Sequence, residues 1–150
     1  MRTILQRVSR AEVRVEGRVV GRVGPGLLLL VGVEAGDAEA DADETARKVA
    51  ALRCFPGRTP MDLTLAQVGG GALVVSQFTL LADLTRGNRP GFDRAEAPAR
   101  ADALYQRVAT GLRAAGLPVE TGVFGATMQV DLVNEGPVTF VLEVRGGAVR

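Results

Sequence analysis

The sequence predicts a mixed α/β fold, in which two helices pack on one side of a predominantly antiparallel or mixed β-sheet. Period-two alternation of apolar and polar residues marks strands near both ends of the chain, and helical spacing marks two segments between them. No repeat, low-complexity tract or linker interrupts the 150 residues. A chain of this length buries about 68–70% of the surface that its unfolded form exposes. We therefore expect a single domain covering residues 1–150.

The first third of the chain is expected to form β structure. Ala11, Val13 and Val15 alternate with charged residues, as in a strand with one buried face. Glycines and a proline at residues 24–26 then break the chain. The apolar run of residues 27–31 is unbroken, which indicates a central strand buried on both faces.

Two amphipathic helices are expected, over residues 37–53 and 98–115. Acidic residues crowd the first turns of the earlier helix, where they complement the helix dipole. Gly116 is a natural stop for the later one. Apolar residues recur at helical spacing at Ala42, Ala46, Val49 and Leu52 and again at Ala101, Leu104, Tyr105, Val108 and Leu112.

The remaining apolar segments predict four more strands, over residues 72–81, 119–124, 128–133 and 138–144. The last two flank a Gly-Pro pair, which between strands is normally a turn. A cis bond before that proline would be a rarer arrangement.

The composition narrows the possible chemistry. A net charge of +1 provides no broad basic face for coating nucleic acid, so any contact with RNA should be local. The absence of histidine removes the Ser-His and Cys-His nucleophile pairs and the usual zinc sites. The lone Cys54 suits a buried, inert thiol, and no signal-peptide pattern opens the chain. We expect a cytoplasmic protein.

Two segments are candidate functional sites. Ser76-Gln77-Phe78-Thr79-Leu80 ends a strong apolar strand with two hydroxyls and an amide. These groups either cap the end of the strand or supply donors that stabilise a developing oxyanion. The second candidate is Asn134-Glu135-Gly136-Pro137-Val138-Thr139-Phe140. The glycine-rich residues 24–26 and 69–71 lead into strands, so they indicate turns and not phosphate loops.

Taken together, these motifs resemble the D-aminoacyl-tRNA deacylase family nearly end to end. Each piece is weak alone, but the ordered set is specific. Besides the two candidate segments, the matching pieces are Gln6-Arg7-Val8, Val74-Val75, Gly87-Asn88-Arg89-Pro90, and Phe124-Gly125-Ala126 with Met128. Departures from the family pattern, at Leu81, Leu84-Thr85 and Gly91, fall in expected loops and pocket walls.

The resemblance implies a homodimeric hydrolase, without metal or cofactor, that cleaves the ester joining a D-amino acid or glycine to the terminal ribose of tRNA. It implies that Ser76, Gln77, Phe78 and Thr79 form the catalytic segment at the subunit interface. The Gly-cisPro motif, Gly136-Pro137, would reach into the partner's pocket. An L side chain would clash with it and a D side chain would point away, whereas glycine could not be rejected. The resemblance also implies that Arg7, Phe124, Gly125, Ala126 and Met128 belong to the substrate pocket.

Several alternatives stay open at this level. Thr79 is a candidate nucleophile, but the motif supplies no base beside it. The ribose hydroxyl next to the ester could instead help to activate water, with backbone donors near Gln77 and Phe78. Arg86, Arg89 and Arg94 either contact tRNA phosphates or form a solvated basic loop. The other functions considered are a non-catalytic dimeric tRNA-binding module and an esterase that uses Thr79 or Ser76.

Overall fold

Two helices pack against one face of a curled, mixed sheet in the computed structural model, which describes residues 1–150. A short 3₁₀ helix (Phe78–Leu81) follows one of the central strands. The other elements, in chain order, are β1 (Arg2–Val15), β2 (Arg18–Val23), β3 (Gly26–Gly32), α1 (Glu39–Ala51), β4 (Arg53–Phe55), β5 (Leu63–Thr64), β6 (Gly71–Ser76), α2 (Pro98–Ala114), β7 (Val119–Thr121), β8 (Gln129–Arg145) and β9 (Ala148–Val149).

Strand β1 organises the sheet, because β2, β3 and β8 all pair with it in antiparallel fashion. Beyond β3 the pairing becomes parallel, first to β6 and then to β7. The order along the sheet is β7-β6-β3-β1-β8-β9, while β4 and β5 form a separate small sheet. This mixture of parallel and antiparallel pairs, together with the two helices, confirms the predicted fold class.

Strand β3 is central, as its unbroken apolar run predicts. Leu27, Leu29 and Val31 join the core beneath the two helices. Leu28 points to the opposite face, where it packs with Val75 and other residues in a second, smaller core. Successive side chains of a strand point to opposite faces, so a strand covered on both sides has no position that favours a polar residue.

The strand expected over residues 72–81 is shorter than predicted. It ends at Ser76, and a 3₁₀ helix follows. Its neighbour β3 ends at Gly32, and the last bond of the ladder runs from the Gln77 N–H to the Val31 carbonyl at 2.8 Å. Beyond this point no neighbouring strand is available for pairing. The backbone N–H and C=O groups therefore form hydrogen bonds with each other within the 3₁₀ turn.

The prediction of a turn at Gly136-Pro137 is also wrong. The two expected strands are one strand, β8, which follows β1 along most of its length. Four residues of β8, 135–138, stand opposite the single residue Arg7 of β1, so the segment bulges from the ladder instead of reversing it. The Gly136–Pro137 peptide bond is cis.

The observed bounds of one helix agree closely with the predicted ones, and those of the other helix agree less well. Helix α2 covers the predicted span to within one residue, and Gly116 beyond it has φ +82°. Helix α1 is two residues shorter at each end than expected, and beyond its C-terminal end residues 53–55 form a strand that pairs with β5. The predicted strand at 119–124 likewise ends early, at Thr121. Neither helix has the length and apolar content that a membrane-spanning helix requires.

Candidate active site

The first wall of the site is the segment in which β6 ends and the 3₁₀ helix begins. The Gln77 N–H is used by the last ladder bond, and Leu80 N donates to the Gln77 carbonyl at 3.3 Å. The N–H groups of Phe78 and Thr79 lie in the first turn, where a helix offers no internal acceptor. This strand end therefore leaves backbone donors beside exposed Phe78 and Thr79 side chains.

The second wall comes from the loop after β7. Strand β7 runs parallel to β6, and Gly122 N continues the pairing by donating to the Val74 carbonyl at 3.2 Å. The loop then turns, with Ala126 N bonded to the Val123 carbonyl and Gly125 at φ +74°, a conformation that glycine adopts without steric cost. Parallel pairing thus carries residues 124–128 to the same sheet edge as the end of β6.

A pocket of about 470 Å³ lies between these walls. Seven of the residues proposed from the sequence line it, namely Ser76, Gln77, Phe78, Phe124, Gly125, Ala126 and Met128. Seven others were missed by the sequence reasoning, namely Val33, Val75, Ala95, Glu96, Pro98, Ala101 and Val130. Most of these missed residues are apolar, so in the sequence they resemble ordinary core positions.

Thr79 lies next to the pocket lining but does not belong to it. Its hydroxyl accepts a hydrogen bond from the side-chain amide of Gln77. An amide nitrogen is a donor and cannot take up a proton as a general base would. The geometry around Thr79 therefore orients its hydroxyl and supplies no activating group.

Glu96 is the ionisable side chain among the residues that line the pocket. Its carboxylate accepts hydrogen bonds from Ala97 N at 2.8 Å and Gly36 N at 3.3 Å, and lies 3.3 Å from the Arg100 guanidinium. The bonds from Ala97 and Gly36 lower the pKa of Glu96, and Arg100 adds to this effect. The pocket wall thus carries a fixed negative charge at the start of α2.

The Gly136–Pro137 segment lies outside this pocket and is exposed. The side chains of Asn134 and Arg7 fix its position through hydrogen bonds. Asn134 bonds to both backbone groups of Val138, at 2.9 and 3.0 Å, and also donates to the Arg7 carbonyl at 3.3 Å. The Arg7 guanidinium in turn donates to the Glu135 carbonyl at 2.9 Å. It also donates to the carbonyl of Cys54 at 2.7 Å.

The three arginines expected to act together have different surroundings in the structure. Arg86 and Arg89 are exposed in the loop that an isolated bridge between Asp83 and Gly91 closes. Arg94 instead pairs with Glu34 at 2.6 Å. None of the three lines the pocket.

No three His, Cys, Asp or Glu side chains gather as they would around a metal ion. Cys54 is fully buried, and burial raises the pKa of its thiol despite the nearby charge of Arg7.

Comparison of the sequence with known proteins identifies the class to which this protein belongs. The chain is 58% identical to the D-aminoacyl-tRNA deacylase of Paracoccus denitrificans, over 95% of this chain and 97% of that protein. It is also 58% identical to the D-aminoacyl-tRNA deacylase of Anaeromyxobacter dehalogenans, over 97% and 98% of the two chains. The class is therefore that of hydrolases acting on ester bonds.

The family follows from the match to its model. Residues 4–143 match the model described as D-Tyr-tRNA(Tyr) deacylase, and the chain belongs to that family.

Two solved structures share the fold. One, titled c-Myc DNA Unwinding Element Binding Protein, superposes with a TM-score of 0.90 at 33% identity, over 97% of this chain and all of that one. The other, described as a probable eukaryotic D-amino acid tRNA deacylase, has a TM-score of 0.77 at 19% identity, over 93% and 97% of the two chains. At that identity the second likeness shows the fold alone.

Proposed function

We propose that this chain hydrolyses the ester bond of D-aminoacyl-tRNA, and of mischarged glycyl-tRNA, to free amino acid and tRNA. The observation that carries the proposal is the pocket in which the end of β6, at residues 76–78, faces the loop of residues 124–128. The high identity to relatives named D-aminoacyl-tRNA deacylase supports the same substrate. The activity belongs to one domain spanning residues 1–150 and serves proofreading in the cytoplasm.

In the proposed reaction, water attacks the ester carbonyl and the ribose 2′-hydroxyl of the tRNA assists it. The backbone N–H groups at the start of the 3₁₀ helix, near Gln77 and Phe78, stabilise the oxyanion that develops. Removing one such donor from an enzyme typically costs about 2.7–4 kcal/mol of transition-state stabilisation. The Gln77–Thr79 hydrogen bond supports this assignment, because it leaves Thr79 without a base.

Selection against L-amino acids is assigned to Gly136 and Pro137 of a partner subunit in a homodimer. Their exposed position, outside the pocket of their own chain, fits a segment that projects into another copy. The hydrogen bonds from Asn134 and Arg7 hold the segment in place, so it would exclude an L side chain by steric conflict. Glycine has no side chain to exclude and is cleaved as well.

The remaining residues are assigned supporting roles. Phe124, Gly125, Ala126 and Met128 form the pocket wall that receives the end of the tRNA. Arg86, Arg89 and Arg94 contact phosphates of the acceptor end from the loop before α2. No cofactor takes part in the proposed chemistry.

Three matched substrates test the proposal, namely D-tyrosyl-tRNA, L-tyrosyl-tRNA and glycyl-tRNA. We expect release of amino acid from the D- and glycyl forms while the L-form is spared. Binding of all three without release would contradict the proposal and indicate a tRNA-binding module. Release from the L-form at the same rate would contradict the steric selection.

Two further substrates and variants separate the catalytic alternatives. Thr79→Ala should keep substantial activity, whereas a tRNA ending in 2′-deoxyadenosine should be hydrolysed much more slowly. A folded Thr79→Ala protein with no turnover would identify the threonine as the nucleophile. Normal rates on the deoxy substrate would exclude assistance by the ribose.

A further inference from the structure

A second, smaller cavity of about 120 Å³ lies close to the active-site pocket. Its charged lining consists of Arg2, Arg94, Arg145 and Arg150 with Glu34 and Glu143. Among these side chains, four guanidinium groups face two carboxylates. Because four of the 18 basic residues of the chain gather here, we call this cavity the arginine cleft.

The two carboxylates of the cleft are already engaged. Glu143 bonds to Arg2 at 2.6 Å, and Glu34 bonds to Arg94 at 2.6 Å and lies 3.7 Å from Arg145. Burial on its own would raise the pKa of Glu34, but Arg94, with help from Arg145, outweighs it and lowers the pKa. Glu34 therefore stays ionised and contacts both guanidinium groups.

Unused donors remain on two of the arginines. Arg145 is 61% exposed, and its long 3.7 Å contact with Glu34 is a weak pairing. Arg150 uses one nitrogen, in a 3.2 Å bond to the Arg145 carbonyl. A guanidinium carries five N–H donors in a planar fork, so this pair of residues retains donors suited to a bidentate anion.

The backbone connects the cleft directly to the active-site pocket. Residues 33–35 and 94–96 pair through a bridge between Glu34 and Ala95, and each segment contributes residues to both cavities. On another side of the cleft, Arg2 donates to the Leu80 carbonyl at 3.0 Å, within the 3₁₀ helix that includes Phe78 and Thr79 of the catalytic segment. An anion in the cleft would therefore lie next to the bound end of a substrate.

We propose that the arginine cleft binds a backbone phosphate of the tRNA substrate, 5′ to the terminal ribose that carries the amino acid. This inference rests on the proposed function and extends it to the nucleotides beyond the reacting ester. Arginine matches phosphate geometry through paired N–H···O bonds, and such contacts fix the register of a nucleic acid without reading its sequence. A site of this kind would hold the flexible 3′ end while the ester enters the pocket.

The test compares the double variant Arg145→Gln/Arg150→Gln with the control Arg18→Gln/Arg22→Gln. The control removes the same charge from exposed positions on β2, which pairs with the opposite end of β1. Both variants and the wild-type protein are assayed on D-aminoacyl-tRNA and on a D-aminoacyl ester of adenosine, which has no phosphate. Thermal unfolding of each variant checks that it is folded.

We expect the cleft variant to raise KM for the tRNA on the order of tenfold while kcat stays constant, and to reduce the salt dependence of binding by about one unit of slope. Its kinetics on the adenosine ester should equal those of the wild type, and the control should be unaffected on both substrates.

An unchanged KM for tRNA, or an equal rise in the control, would overturn the proposal. An equal rise on the adenosine ester would do so too, because that substrate carries no phosphate. A further experiment uses inorganic phosphate as a competing ligand. If it inhibits the wild type but not the cleft variant, while that variant keeps the wild-type KM for tRNA, the cleft takes free phosphate and the proposal fails. A wild-type protein that hydrolyses neither substrate would defeat the proposed function instead.

Discussion

Asn134 and Val138 exchange two hydrogen bonds across the Gly136–Pro137 pair. The Val138 N–H donates to the Asn134 Oδ1 at 3.0 Å, and the Asn134 Nδ2 donates to the Val138 carbonyl at 2.9 Å. One side chain thus closes the bulge at which β8 leaves its ladder with β1. This amide is therefore one of two side-chain supports of the segment assigned to chiral selection.

Asn134→Ala removes both bonds and leaves the Gly136–Pro137 segment free to shift. We expect cleavage of D-aminoacyl-tRNA to fall and the preference over the L-form to shrink, because steric exclusion requires a fixed obstacle. The ratio of kcat/KM for the two enantiomers measures the effect. The control is Gln129→Ala, an exposed position on the same strand. A preserved ratio with the protein folded would contradict this role for Asn134.

Arg7→Lys tests the second support of the same segment. The Arg7 guanidinium bonds to the carbonyls of both Cys54 and Glu135, whereas a lysine ammonium is a compact charge that cannot reproduce the fork. We expect lower activity and a lower ratio of D to L cleavage. Arg10→Lys on the same strand, where the arginine has an exposed ion pair with Asp131, should change neither. Equal behaviour of the two variants would show that Arg7 has no special role.

Gly26→Ala should destabilise the sheet. A Cβ at Gly26 would stand 1.9 Å from the Gly71 carbonyl oxygen, where β3 and β6 begin to pair. Forcing the strands apart should cost about 1–3 kcal/mol or more in the free energy of unfolding. Gly24→Ala is the matched control, because a Cβ there meets nothing within 4 Å. Denaturant unfolding of both variants measures the difference, and equal stabilities would contradict the close approach.

Asp41→Asn should lower stability in a way that depends on pH. Asp41 is buried and accepts hydrogen bonds from Ala38 N at 2.8 Å and Gly147 N at 2.9 Å. Burial on its own would raise the pKa of Asp41, but the bonds from Gly147 and Ala38 outweigh it and lower the pKa. The stability that the ionised carboxylate contributes is therefore present above its ordinary pKa of about 3.9 and is lost as the pH falls through the folded value.

We expect Asp41→Asn to cost about 1.5–3 kcal/mol at pH 7, which is typical of hydrogen bonds to a charged group. The gap from the wild type should shrink below about pH 4. Urea unfolding at a series of pH values measures it. A gap of constant size from pH 7 to pH 3 would show that ionisation of Asp41 does not contribute.

The sequence by itself determined the features that depend on local patterns. The apolar run of residues 27–31 predicted the central strand, and the apolar stripe of α2 predicted its bounds to within one residue. Both succeed because burial on two faces, or on one helical face, imposes a period that a short window reveals. The motifs around Ser76 and Gly136 are also local in the sequence, and their identity and order carried the resemblance to the family.

Only the tertiary structure decided which distant segments of the chain lie next to each other. The pocket joins the end of β6 to residues 124–128 because β7 pairs with β6 across a long stretch of chain, and Glu96 enters its wall through the bridge between residues 34 and 95. The continuity of β8 and the arginine cleft arise in the same way. Strand pairing brings together residues that are distant along the chain, and the free energy that selects those pairs comes from burying the whole sheet and not from any local segment.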